Sequence, residues 1–172
     1  WKLAMHLEPS QHVENYDQLD ERAAWFYEAV TASEDMTGRH PGVGSTYLGA
    51  YKDSKGEWLD GGNFYRLHVP ANAPAKNFWS ITAYDVNTRC FIDTPWKIAD
   101  RSSRQDLTKN ADGSVDLYIG PKPPSDTAKH KNWIPTVPGK AWFTYLRLYG
   151  PLQDYYDKSW VLPDIELTNA WD

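Results

Sequence analysis

The sequence predicts a mainly β protein, an antiparallel jelly roll or β-sandwich with one N-terminal helix. Three observations predict it. From residue 44 onward, about seven short runs of β texture are separated by turn signals. No helical patterns alternate with those runs, which argues against a parallel α/β sheet. Ahead of them, Leu19, Ala23, Phe26 and Val30 form one apolar stripe of helical period. The expected organisation is an N-terminal segment over 1–43, followed by a sandwich domain with a C-terminal tail over 44–172.

Each element has its own warrant. Residues 1–16 carry no clear period. A helix is expected over 17–36, with Asp17 as N-cap and Asp20 and Glu21 in its first turn, where negative charge meets the positive helix end. Gly38 to Gly42 end it. Ser45 to Lys52 reads as a strand and Asp53 to Gly56 as a turn. Asn63 to Val69 is a strand closed by Pro70. Asn77 to Val86 alternates, placing Phe78, Ser80, Thr82 and Tyr84 on one face and Trp79, Ile81 and Ala83 on the other. Arg89 to Asp93 is a further strand-like run. Residues 94–109 read as a long polar loop, and Asn110 to Gly113 as a hairpin-type turn before a strand over Ser114 to Ile119. Gly120 to Lys131 is a Pro- and Lys-rich loop, Trp133 to Val137 is extended, and Trp142 to Tyr149 is a strong strand stopped by Pro151. The tail offers a helical turn and an extended end.

Composition narrows the classes. Nine Trp, eleven Tyr and five Phe make 15% of the 172 residues. With 41% hydrophobic and 24% charged residues, disorder is excluded. No apolar run approaches the ~18 residues of a membrane span. A net charge of -5 argues against nucleic acid as a partner. The lone Cys90 cannot form an intrachain disulfide, and its strand-like surroundings predict a buried thiol. The chain begins at Trp1, not Met, and reads as part of a longer polypeptide.

Several chemistries lack their motifs. There is no phosphate-binding glycine loop; Gly42-Val43-Gly44 is followed by a strand where a helix is needed. There is no nucleophile elbow. None of the five His residues pairs as H-x-H or H-x-x-x-H, so no metal site and no cofactor is expected.

Candidate ligand-binding residues come from four places. Asp60 and Asn63 bracket two glycines ahead of Tyr65; the alternative is a tight turn with glycines at positive φ. Arg89 could present a guanidinium to a ligand or pair with Asp85 and brace the corner. Asn132 and Trp133 juxtapose an amide and an indole, the combination that holds a sugar, although Trp133 also suits a core. In the last strong strand, Trp142, Thr144, Leu146 and Leu148 share one face. Phe143, Tyr145, Arg147 and Tyr149 share the other, either as a structural cation–π ladder or as the floor of a groove.

Taken together, a series of phrases resembles a known family. They are Gly44-Ser45-x-Tyr47-Leu48, Leu59-Asp60-Gly61, Tyr65-Arg66-Leu67, Phe78-Trp79-Ser80, Tyr84-Asp85, Thr88-Arg89, Asp112-Gly113-Ser114-Val115, Asn132-Trp133 and Arg147-Leu148-Tyr149-x-Pro151. In order and spacing they resemble the C-terminal domain of the uncharacterised, mainly bacterial family catalogued as domain of unknown function 1214. The resemblance implies a jelly roll that follows an N-terminal domain of unknown function 1254 in one polypeptide, often exported to the periplasm or beyond; a cytoplasmic location also suits the single cysteine. It implies no reaction and assigns no catalytic residue.

Two functions of different kind fit. One is a non-catalytic module binding a small molecule or saccharide on an aromatic-lined sheet, as an accessory part of a larger, two-domain and conceivably homo-oligomeric protein. The other is a hydrolase using carboxylates among Asp60, Asp85, Asp112 and Asp116, with Arg89 and Arg147 stabilising charge. A purely structural or oligomerising role is the third alternative.

Overall fold

In the computed structural model, residues 40–171 are described in full, together with the backbone of 2–3, 12–13 and 16–17. The helix expected over 17–36 lies outside the described residues, apart from Asp17. Asp17 belongs to the short ribbon of β2 (His12–Val13) and β3 (Tyr16–Asp17).

The fold is a β-sandwich. One sheet has five strands in the order β1 (Lys2–Leu3), β4 (Ser45–Ala50), β10 (Trp142–Pro151), β6 (Ala75–Asp85) and β7 (Asp100–Ser102). The other has four: β11 (Glu166–Thr168), β5 (Phe64–Val69), β8 (Val115–Gly120) and β9 (Trp133–Pro135). All pairings are antiparallel except β8 with β9, which is parallel. A 3-10 helix, Thr127–Asn132, and a single turn of helix α1, Gln153–Tyr156, fill two of the connections.

Period-two alternation builds the core. Tyr65, Leu67 and Val69 of β5 and Val115, Leu117 and Ile119 of β8 face Trp79, Ile81 and Ala83 of β6 and Trp142, Leu146 and Leu148 of β10. The faces expected for β6 and β10 are those observed. Each fully buried Leu or Ile contributes about 1.5–3 kcal/mol. Thr144 is buried in the same layer because its hydroxyl donates to the Thr82 carbonyl at 2.8 Å.

Some elements differ from expectation. The run Arg89 to Asp93 forms only one isolated bridge, Tyr84 to Phe91, because Arg89 takes a left-handed φ of 60° that breaks the strand. Cys90, expected buried, is therefore exposed. Strand β7 lies within the stretch expected to be a polar loop.

Candidate functional site

Residues paired across adjacent strands point to the same face of a sheet. Register therefore places the outward-facing side chains of β4, β10, β6 and β7 together. In β10, Tyr145, Arg147 and Tyr149 stand opposite Gly49, Tyr47 and Ser45 of β4, and opposite Thr82, Ser80 and Phe78 of β6. Phe143 stands opposite Tyr84. The result is an aromatic layer on the outer face of the five-stranded sheet. Tyr51 stacks on Phe143 at 4.8 Å, Phe143 on Tyr84 at 5.2 Å, and Tyr84 meets Phe91 at 5.4 Å. Phe78 stacks on Tyr149 at 4.0 Å. Gly49 lets the Tyr145 ring lie over the sheet, since a Cβ there would stand 3.0 Å from that ring. Phe91 is 61% exposed while Phe143 is 3% exposed, so the ring stack runs from solvent into the sheet.

Arg147 sits in this layer. Its guanidinium carbon is 5.6 Å from the Tyr47 ring centroid and 5.7 Å from that of Tyr84, and its Nη2 donates to the Tyr84 hydroxyl. Its Nε is out of solvent without a hydrogen-bond partner. Burial pushes the Tyr84 hydroxyl above its ordinary pKa, with Arg147 opposing. The phenol thus stays neutral and cannot balance the guanidinium charge. Arg89 lies over Phe143 at 5.3 Å and Arg104 over Phe78 at 4.6 Å. One carboxylate shares the outer face of these strands: Asp100, opposite Thr82 on β7.

The other expected site residues lie elsewhere. Asp60 accepts from the Gly62 amide at 2.7 Å, and its own amide donates to the Tyr65 hydroxyl at 2.9 Å. Asn63 reaches that hydroxyl at 3.4 Å. This is a tight turn ending on a core Tyr65, which is 1% exposed and edge-on to Trp142. Neither Gly61 nor Gly62 has positive φ. Gly61 is needed instead because a Cβ would overlap the Val137 carbonyl.

Asn132 and Trp133 belong to the second sheet and are 3% and 4% exposed. Asn132 accepts from the Thr108 amide at 2.9 Å and donates to the Thr108 and Asp116 carbonyls at 2.7 and 2.9 Å. The Trp133 indole donates to the Gly120 carbonyl at 3.0 Å. Both side chains tie backbone segments together and leave no face for a sugar.

The Asp85 carboxylate does not pair with the Arg89 guanidinium, although the Arg89 amide donates to the Asp85 carbonyl at 2.9 Å. The carboxylate's partner is Lys140 at 3.0 Å, and it also accepts from the Asn87 and Thr88 amides. The Lys140 hydrogen bond, followed by the Thr88 amide, holds it below the usual carboxylate range. Asp112 is held low by Ser114. Asp116 binds His68 at 2.8 Å and Asn110 at 3.1 Å. Among the described residues, no three His, Cys, Asp or Glu side chains converge as a metal site would require.

A cleft of about 300 Å³ opens between loops at one end of the sandwich, lined by Trp79, Ser103, Gln105, Lys109 and Asp112, among others. Of the sequence-predicted residues, Asp112, a candidate carboxylate of the hydrolase reading, lines it, and none of the candidate ligand-binding residues does. Several of its polar groups are already engaged: Ser103 accepts from the Trp79 amide and Asp112 from Ser114.

Of the expected residues, the structure therefore brings Tyr145, Arg147, Tyr149 and, through Phe143, Arg89 onto one surface. Sequence reasoning missed Tyr47, Tyr51, Phe91, Arg104 and Tyr84 as members of it. The alternation of β6 placed Tyr84 and Phe78 on a common face, but nothing local marked β10 as the neighbour.

Residues 44–153 match the family model described as Protein of unknown function (DUF1214), and the chain belongs to that family. Among solved structures, the VPA0106 protein from Vibrio parahaemolyticus matches with a TM-score of 0.67 at 23% identity, over 86% of this chain and 34% of that one. An uncharacterised protein from Burkholderia cenocepacia matches at 15% identity with a TM-score of 0.44, over 78% of this chain and 32% of that one. The chain spans about a third of the length of these structures. The first likeness establishes the fold alone. No curated protein matches the chain.

Proposed function

We propose that this chain carries a non-catalytic, small-molecule-binding β-sandwich over residues 44–172, as part of a longer, two-domain protein. Its site is the outer face of the five-stranded sheet. One observation carries the reading. Among the described residues, Arg147 sits over Tyr47 and Tyr84 with a single hydrogen bond, to a neutral phenol, and an unpartnered Nε. A structural cation–π ladder explains the ring contacts, each worth about 0.5–1 kcal/mol. It leaves the guanidinium short of acceptors, and burying such a donor unpaired is costly. A ligand with acceptor atoms would supply them at the Nη nitrogens, the Nε being shielded from solvent.

The hydrolase alternative draws no support from the carboxylates. Asp85, Asp112 and Asp116 are engaged by Lys140, Ser114 and His68 respectively, and Asp60 caps a turn. A general acid would need a carboxyl held above its ordinary range, whereas Asp85 and Asp112 are held below it. The saccharide version leaned on Asn132 and Trp133, whose side chains are engaged within the fold.

The test is a thermal-shift screen of sugars, nucleotides and organic acids on the full-length protein, repeated with Tyr145→Ala and Arg147→Gln. The reading expects a hit whose shift disappears in both variants while their unliganded midpoints stay near wild type. A hit indifferent to both would place the site elsewhere.

A further inference from the structure

We propose that the ligand of this face is an anion, a carboxylate carried on a flat ring. The inference rests on the reading of the face as a binding surface and goes beyond it by naming the ligand's chemistry. Acidic side chains outnumber basic ones, 23 to 18, so carboxylates are not scarce. Elsewhere among the described residues five cations pair with them, Arg66 with Glu166, Lys97 with Asp93, Lys129 with Asp126, Lys131 with Asp106 and Lys140 with Asp85, while others, such as Lys52 and Lys109, do not. On the outer aromatic face no described cation does. Arg89, Arg104 and Arg147 each lie over rings, and none has a described carboxylate within ion-pair distance.

Among the described residues, the one carboxylate of that face, Asp100, stands at the β7 edge near the Gln105 side-chain amide, at 3.5 Å. Arg147 is on the central strand β10, with β6 between the two. Among the described residues, the face therefore presents guanidinium charge with no carboxylate at ion-pair distance.

The rings fix the rest of the ligand. Tyr51, Phe143 and Tyr84 form a continuous stack that ends in the exposed Phe91. A second flat ring can extend such a stack by offset or edge contact. A guanidinium binds a carboxylate through two parallel N–H···O bonds, a fork that a hydroxyl cannot match. A neutral sugar would use the rings but leave Arg147 uncompensated.

The test uses three probes on the full chain: benzoate, its neutral isostere benzamide, and methyl glucoside, followed by intrinsic fluorescence and calorimetry at low ionic strength. Benzoate is expected to bind at least about tenfold more tightly than benzamide, the difference that one charge-assisted pair supplies. Arg147→Gln should reduce that ratio to within about twofold, while Arg66→Gln, on the other sheet, should leave it unchanged. If benzamide or methyl glucoside binds as well as benzoate, and Arg147→Gln alters none of them, the anion proposal is overturned while the binding surface stands. If no probe binds at concentrations up to about 20 mM, the anion proposal is overturned, and the broader binding reading falls only if the thermal-shift screen also finds no hit.

Discussion

Replacing Asn132 by Ala separates a structural clamp from a sugar-binding amide. The side chain is 3% exposed and makes three hydrogen bonds, two to Thr108 and one to the Asp116 carbonyl. These bonds tie the loop after β7 to β8 and to the start of β9. Each contributes about 1 kcal/mol net, and more where the orphaned partner stays buried. Thr108 is an exposed residue, so its amide and carbonyl regain some water, whereas Asp116 is only partly exposed. The expected loss is about 2–3 kcal/mol, a fall in the thermal midpoint of roughly 5–10 °C for a chain of this size. Asn132→Asp is nearly isosteric and keeps the acceptor for the Thr108 amide. It sets an oxygen against two carbonyls where an NH2 group stood, so at neutral pH it should cost at least as much as Ala. Thermal and urea unfolding, followed by far- and near-UV circular dichroism, measure both variants. If both unfold within about 0.5 kcal/mol of wild type, the clamp is wrong and the sugar reading of Asn132 returns.

Three further outcomes follow from the same geometry. Because Asp85 is more acidic folded than unfolded, its pairing stabilises the protein above the ordinary carboxylate range, near pH 4, and is lost as pH falls through the depressed value. The unfolding free energy of Asp85→Asn should therefore fall less steeply with acid than that of wild type, and parallel slopes would contradict this. Gly61→Ala forces the backbone off the Val137 carbonyl and should cost about 2–4 kcal/mol in urea unfolding; a neutral result would mean that the turn and the Val137 loop separate freely. Cys90, being exposed, should react with a thiol reagent in the native protein, with one equivalent released before any denaturant is added.

What was legible in the sequence follows from what is local. Alternation along one strand told which residues of β6 and β10 face the core, because side chains switch sides at every residue whatever the neighbours. Register between strands is not local. Tyr47 and Ser80 flank Arg147 through pairings that span 100 and 67 positions of sequence, so the composition of the outer face emerged only with the sheet. Asn132-Trp133 reads in sequence either as a sugar-holding pair or, for Trp133, as core, and the carbonyls of Thr108, Asp116 and Gly120 decide for the fold. Arg89 was offered Asp85 four residues away, but Lys140, 55 positions distant, takes that carboxylate. Cys90 was misplaced for a similar reason: hydrophobic neighbours suggested a strand, and the left-handed turn at Arg89 undid it.

The central claim is that the outer face of β4, β10 and β6 is the binding surface. Amide and side-chain chemical shifts of isotope-labelled protein, titrated with benzoate, test it most directly. The account predicts perturbations concentrated at Tyr47, Tyr84, Tyr145, Arg147 and Tyr149, and largely absent from Arg147→Gln. Perturbations centred instead on the cleft of Trp79, Gln105 and Lys109, or spread without focus over the surface, would contradict it.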